Sequence, residues 1–222
     1  MEFRQGCRLD LERAAPRPDL DVRVLLTSFN ASFGHVAMHG VRRGLVTAQA
    51  QADGLPLHEV DLPWPCSNAI YKQRMLGAIE EIKKRYGITH LAFGDLFLDD
   101  VREYRLRMLK GSGVQPVFPL WGEPTRPLAE RMIATGVKAY LSCIDPRVLA
   151  PSFAGRAFDR SLLDDLPPGV DACEEHGKFH TIVVDGPSFQ NPIAVESGEV
   201  VERDGFVFAD FYMPLADQAM ST

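Results

Sequence analysis

No uninterrupted apolar run in the 222-residue chain approaches the roughly 20 residues needed to cross a bilayer, so a spanning helix is not expected. Cysteine is sparse. The four residues stand at 7, 66, 143 and 173 without CxxC spacing, and nothing resembles a secretion signal. That pairing leads us to expect reduced thiols in a cytoplasmic protein. Basic clusters are missing too. The 24 Lys and Arg are scattered against 30 Asp and Glu, for a formal net charge of −6, so no surface that tracks nucleic-acid phosphates is expected. Neither GxGxxG nor GxxxxGK followed by Ser or Thr occurs, which removes the two standard phosphate-loop patterns. No internal repeat or low-complexity tract is present.

What remains is a chain that is 45% hydrophobic and long enough to bury a full core. Residues 1–20 mix Arg with acidic side chains at no helical or strand period, and are expected to form an N-terminal arm. Residues 22–29 read as a buried strand and 30–34 as a loop. A helix over 35–52 follows from the spacing of Val36, Ala37, Val41, Leu45 and Ala48, ended by Gly54. Leu57–Leu62 reads as a strand and Asn68–Tyr86 as a helix capped by Ser67, with Glu80/Lys84 and Glu81/Arg85 on its solvated side. Strands over 90–94 and 115–120 alternate with helices over 99–110 and 125–134, and Lys138–Ile144 reads as a fifth strand. This alternation predicts one five-stranded parallel sheet with right-handed crossovers, layered by helices. After Asp145 the texture changes. A short helix over 159–166 and strands over 181–184 and 200–208 predict a small antiparallel addition. The expected organisation is an arm (1–20), an α/β domain (21–145) and a C-terminal α+β subdomain (146–222).

Three stretches carry candidate chemistry. The run HLAFGDLFLDDVREYR, residues 90–105, ends a strand in Gly94-Asp95 just before a helix, and in open α/β sheets that tip is where ligands sit. Asp95 either accepts a ligand hydroxyl or holds a metal-bound water, or it simply caps the turn. The loop after the first strand offers Thr27, Ser28, Asn30, Ser32 and Gly34 at a predicted helix start, which suits an anion. His35 beside it reads as a phosphate contact. With His39 at i+4 it reads instead as a metal pair, or as an ordinary surface helix. The third stretch, DACEEHGKFHT, crowds Glu174, Glu175, His176, Lys178 and His180 ahead of a buried strand. It supports a zinc reading through Cys173, His176 and His180, a substrate-binding turn with Glu175 and His180 as acid/base groups, or a solvated turn. Asp185-Gly186-Pro187 reads as a structural turn, and Cys66 as a rim thiol with no histidine near it in sequence.

Taken together, Gly94-Asp95, Tyr104-Arg105, Phe118-Pro119-Leu120-Trp121, Met132 with Gly136 and Ala139, and Cys173, Glu175, Gly177, Thr181, Asp185-Gly186-Pro187 and Phe189 resemble the diphthine–ammonia ligase family. These are PP-loop ATP pyrophosphatases related to the adenine nucleotide alpha hydrolases. The resemblance covers about residues 22–190. It implies a Rossmann-like parallel sheet and activation of a carboxylate by ATP with Mg²⁺, giving an acyl-adenylate that ammonia converts to an amide. It further implies nucleotide contacts from the first loop and Gly94-Asp95, catalytic roles for Asp95, Glu175 and His180, and acceptor contacts from Tyr104, Arg105, Cys173, Gly177 and Thr181. An adenine nucleotide and a carboxylate acceptor are the expected partners, with no nucleic acid or membrane; a homodimer is left open. The chain departs from the family pattern at two places. The family's Ser-Gly-Gly-Lys-Asp-Ser loop falls on 29–34, where both central glycines, the lysine and the aspartate are absent. Lys178 and His180 stand where the family has carboxylates. A nucleotide-binding relative without turnover and a metal-dependent enzyme using Glu175, His176 and His180 are the alternatives.

Overall fold

In the computed structural model the described residues are 20–31, 35–36, 40–176 and 178–214. The expected 1–20 arm lies almost wholly outside them, as do Ser32, Gly34, His39 and Gly177, and only the backbone of His35 is described. Strand β1, Leu25–Asn30, buries Leu25, Leu26 and Phe29 completely. It folds back on β2, His35–Val36, in antiparallel register with Phe29 opposite Val36 and Asn30 opposite His35. A helix beginning at His35 is therefore ruled out. Val36 and Val41 are used as packing residues against Phe29, and Val36 N–H donates to the Val41 carbonyl at 3.0 Å. Gly40 sits between them at φ +65, with a Cβ position only 2.6 Å from Phe208 Cδ1. A left-handed glycine pinned against a ring bends the chain here, and helix α1 starts only at Arg43, running to Ala52.

β3, Leu57–Leu62, lies parallel to β1 from Leu25↔Leu57 to Asn30↔Leu62. Helix α2, Asn68–Tyr86, has the local signals in full. Ser67 Oγ accepts from Ile70 N–H at 3.3 Å, Gly87 closes the helix at φ +64, and Lys83, Lys84 and Arg85 oppose the dipole in the last turn. Its stripe of Met75, Ala78, Ile79 and Ile82 packs on Leu25, Leu26, Val60, Leu91 and Phe93. β4, His90–Ala92, and β5, Gln115–Val117, form a second parallel pair around helix α3, Asp99–Leu109. Helix α4 is Thr125–Ala134 and strand β6 is Lys138–Ile144. Helix α5, Arg160–Asp165, is capped by Asp159, whose carboxylate accepts from Leu162 N–H at 2.8 Å.

The single five-stranded parallel sheet, and with it the Rossmann-like architecture, is not formed. The strands divide into a three-stranded sheet ordered β2-β1-β3, the two-stranded pair β4-β5, and a four-stranded sheet ordered β7-β6-β9-β8. In the last of these, β7 is Phe179–Asp185, β8 is Glu196–Arg203 and β9 is Phe206–Tyr212. β6 runs antiparallel to both its neighbours, with Tyr140 opposite Ile182 and Cys143 opposite Phe208. Alternation of strands and helices constrains polarity only for strands that share a ladder. β6 takes partners that come later in the chain, and its Ala139, Leu141 and Ile144 join Phe179, Val183 and Val207 in one apolar cluster. The stretch 200–208, read as one strand, is a hairpin turning at Asp204 (φ +52) and Gly205 (φ +78).

Helix α1 layers the first part of the chain on this sheet. Leu45 and Val46 pack with Ile182, Val184, Ala209 and Phe211. Buried Gln49 donates from Nε2 to the Val183 carbonyl at 2.7 Å, and Ser188 Oγ donates to Asp53 Oδ1 at 2.6 Å. The Asp185-Gly186-Pro187 turn begins with Gly186 N–H donating to Asp185 Oδ1 at 2.9 Å. No helix among the described residues is long and apolar enough to cross a membrane.

Candidate functional site

The loop after β4 is built first by the backbone. Phe93 N–H donates to the Val117 carbonyl at 2.9 Å, which extends the β4–β5 pairing by one step, and Gly122 N–H donates to the Leu96 carbonyl at 2.8 Å. The loops after β4 and β5 are thereby tied to each other. Asp95 is buried in this tie, 2% exposed. Its Oδ2 lies 3.7 Å from Arg105 Nε, a distance at which charge attracts but no hydrogen bond forms. Arg105 in turn donates from Nη1 to the Tyr71 hydroxyl at 3.2 Å and lies 4.8 Å over the Phe93 ring. Tyr104 packs its ring 6.4 Å from that of Tyr71.

The 171–181 turn is organised by Asp171. Its Oδ1 accepts from Cys173 N–H at 2.9 Å and Glu175 N–H at 3.1 Å, and its carbonyl accepts from Glu174 N–H at 3.2 Å. This Asx-type wrapping holds Glu174 at φ +61, a left-handed value for a side chain that dislikes it. The two glutamates then point to different partners. Glu175, 2% exposed, accepts on Oε1 from Leu96 N–H at 2.8 Å and, more weakly, from Phe97 N–H at 3.4 Å. Glu174 Oε2 lies 3.2 Å from His180 Nδ1, with both side chains nearly buried. Cys173 Sγ donates to the Thr125 carbonyl at 3.2 Å. His176 is exposed and sets its ring 5.2 Å from Phe97.

Electrostatics around the turn is largely compensated. Lys178 Nζ lies 3.6 Å from Asp145, and Arg147 grips the same carboxylate at 2.7 and 2.8 Å. The Arg147 hydrogen bonds hold the Asp145 carboxyl down at about 2. On the neighbouring strand, burial pushes the Cys143 thiol up to about 12, with the nearby charges of Glu174 and Asp145 adding to the effect. Cys143 is thus an inert structural thiol.

A cavity of about 50 Å³ opens between the 94–97 loop and the β6–β7 face. Gly94, Cys173, Glu175 and Thr181 border it, and Leu120, Met132, Phe158 and Phe179 make much of the remaining wall. It has room for a few waters or a small ligand group. Gly94, Cys173, Glu174, Glu175 and Thr181, all singled out from the sequence, thus converge here, with Asp95 one residue from the rim and His180 reached through Glu174. The first-strand group does not join them. Thr27 and Ser28 are buried within β1, with Thr27 Oγ1 lacking a hydrogen-bond partner, and Asn30 pairs in register with His35. None of Thr27, Ser28 or Asn30 borders this cavity. Ser32, Gly34 and Gly177 lie outside the described residues, as does the His35 side chain. The expected anion cradle at a helix start beside Gly34 has no helix: α1 begins at Arg43, where Arg43 bonds Glu59 and Asp61 and stacks 4.3 Å over Phe29.

Glu175, His176 and His180 also fail to form a ligand set. The first is committed to backbone amides, the second packs on Phe97 and the third faces Glu174. Among the described residues no group of three His, Cys, Asp or Glu is placed to hold a metal ion. At Asp95 the neighbouring charge is Arg105, whose Nε lies 3.7 Å from Oδ2. Asp171 and Tyr71 were not singled out from the sequence. For Asp171 the signal was there, an Asp followed two residues on by a buried-turn cysteine; for Tyr71 it was not.

Residues 125–210 match the diphthamide synthase C-terminal domain family. The chain is similar to diphthine–ammonia ligases from Bos taurus (26% identical over 140 residues), Mus musculus (26% over 136) and Homo sapiens (27% over 133). Each match covers 58% of this chain and 50% of the relative, so the chain spans about half the length of the curated relatives it matches. The matched domain contains the Asp171-organised turn and both walls of the cavity that β6 and β7 supply. Residues 125–210 are thus similar to the diphthamide synthase C-terminal domain, and a likeness to diphthine–ammonia ligases extends over 58% of the chain.

Proposed function

We propose that the chain is an ATP-dependent, amide-forming ligase of the diphthamide synthase type, which activates a carboxylate as an acyl-adenylate and transfers it to ammonia. One observation carries the reading: the family-matched turn is bonded through Glu175 to the loop that bears Gly94 and Asp95. A ligase that adenylates one group and aminates it needs its nucleotide loop and its acceptor turn held at a fixed distance. In this reading Gly94 lets the nucleotide approach the backbone, and Asp95 and Arg105 orient it. Cys173 and Thr181, which border the cavity, would meet the acceptor, with the remaining resemblance residues Gly177 and Tyr104 assigned to the same role. Glu175 acts as a positioning residue, and His180, whose Nδ1 lies 3.2 Å from Glu174 Oε2, is the candidate for proton transfer to or from the attacking nitrogen.

Labelled pyrophosphate exchange into ATP, with and without candidate carboxylates, tests the proposal directly. Exchange above the rate without protein supports adenylation, and its absence with every carboxylate and with the chain shown folded rejects it. A second reading has its own observation. The segment after β1 folds back as a hairpin, not as a glycine-rich loop running into a helix. A nucleotide-binding protein without turnover would show thermal stabilisation by ATP or AMP with no exchange. Saturation at 100 times the dissociation constant corresponds to about 2.7 kcal/mol.

A further inference from the structure

Arg102 is placed unlike four arginines that end on carboxylates. Arg42 ends on Asp210, Arg126 on Asp164, Arg147 on Asp145, and Arg131 on Glu123. The Arg102 guanidinium instead lies 4.5 Å from the centre of the Trp121 ring and 5.3 Å from that of Phe118. The rings stand at 72° to each other, 6.0 Å apart, and Phe118 is stacked on Phe93 at 5.6 Å. Arg102 Nε is buried without a hydrogen-bond partner. Among the described residues no carboxylate lies within ion-pair distance of the group. A cation whose stem and Nε are shielded by aromatic faces has lost part of its hydration without gaining a counter-charge, an arrangement that favours an incoming anion.

Its position suits that role. Phe118 and Trp121 flank Leu120, which borders the cavity, and Gly122 is bonded to Leu96 in the loop that follows Asp95. With Phe118 and Trp121 against its face, the guanidinium keeps its Nη edge for a planar or tetrahedral oxyanion, which accepts two parallel N–H bonds. We infer that Arg102, held by Phe118 and Trp121, is an oxyanion-binding residue on this rim that takes a carboxylate or a phosphate group. A surface arginine resting its stem on apolar neighbours would leave its whole polar head in water; Arg102 instead hides its Nε, as Arg131 does, but unlike Arg131 has no carboxylate beside it among the described residues.

The test is titration calorimetry on the full chain with inorganic pyrophosphate, AMP, succinate and adenosine in turn, comparing the natural protein with Arg102→Gln. The Gln side chain keeps most of the packing and removes the charge and the fork. At least one of the three anions should bind the natural chain and bind the variant about tenfold more weakly or worse, while adenosine is unaffected. Loss confined to pyrophosphate and AMP assigns the residue to phosphate, and loss confined to succinate assigns it to carboxylate. Undiminished affinity in the variant, or no anion bound by the natural chain at millimolar concentration, overturns the inference. If the Gln variant does not fold, Arg102→Lys keeps the charge and stem but not the fork, and unchanged anion affinity there overturns it equally. Turnover plays no part in this readout, so a failure of the ligase proposal leaves the result interpretable.

Discussion

Glu175→Ala is the substitution that most directly probes how the two halves of the site are joined. Glu175 is 2% exposed and accepts a short bond from Leu96 N–H at 2.8 Å and a long one from Phe97 N–H at 3.4 Å. A hydrogen bond to a charged acceptor contributes about 1.5–3 kcal/mol, and a buried donor left without a partner costs about 1–3 kcal/mol. The adjoining cavity of about 50 Å³ can admit a water to Leu96 N–H, which argues for the lower part of that range. We expect a loss of about 2–3 kcal/mol for Glu175→Ala, or a melting temperature lower by roughly 4–12 °C in a chain of this size. Glu175→Gln retains an oxygen for Leu96 N–H and gives up only the charge, so a loss of about 1 kcal/mol is expected. Differential scanning calorimetry, with amide exchange at Leu96, reads both. Equal melting of Ala and Gln variants would refute the clamp, as would an Ala variant within about 0.5 kcal/mol of the natural chain. The two variants also separate roles in the exchange assay: Gln stays active if Glu175 positions the loop, and falls as far as Ala if it transfers a proton.

Gly40→Ala should destabilise by more than about 1 kcal/mol, because a left-handed φ and a Cβ contact with Phe208 at 2.6 Å act together; adding Phe208→Ala should not restore the natural stability, which urea titration would show. The Asp145 carboxyl is held at about 2 when folded, against roughly 3.9 unfolded. Its stabilising contribution is present above the unfolded value and lost as pH falls through about 2, so Asp145→Asn should flatten the acid limb of a stability–pH profile and lower stability at pH 7. Native-state thiol titration should find Cys143 unreactive at pH 8, since its thiol is pushed up to about 12 and it is buried; labelling at Cys143 before unfolding would contradict that placement. Asp95→Asn keeps the side-chain volume beside Arg105 and should weaken ATP binding about tenfold, whereas unchanged affinity by calorimetry would remove Asp95 from the nucleotide site.

Much of the chain was legible because its local signals agree with its packing. Ser67, the 75–82 apolar stripe and Gly87 mark α2 without reference to any neighbour, and the observed helix is Asn68–Tyr86. β3, α4 and β6 likewise occupy the predicted residues. The 171–181 turn stood out because charge is expensive ahead of a buried strand, and Gly94 with Cys173, Glu175 and Thr181 does converge on one cavity. Failure came where a residue serves two periods at once. Val36 and Val41 satisfy a helical spacing, yet they pack as hairpin residues once Gly40 is pinned under Phe208.

What the sequence determined by itself is the elements whose own ends carry the signal, such as β3, α2, α4 and β6, since capping, periodicity and turn chemistry act over a few residues. Which strands share a ladder was decided only in three dimensions. β6 has the same apolar character beside a parallel or an antiparallel neighbour, and only the later arrival of β7 and β9 makes the second choice. The roles of the two adjacent glutamates were decided there as well. Residue type cannot say that Glu174 faces His180 while Glu175 reaches across to Leu96, because a single left-handed φ at Glu174 turns the two carboxylates apart.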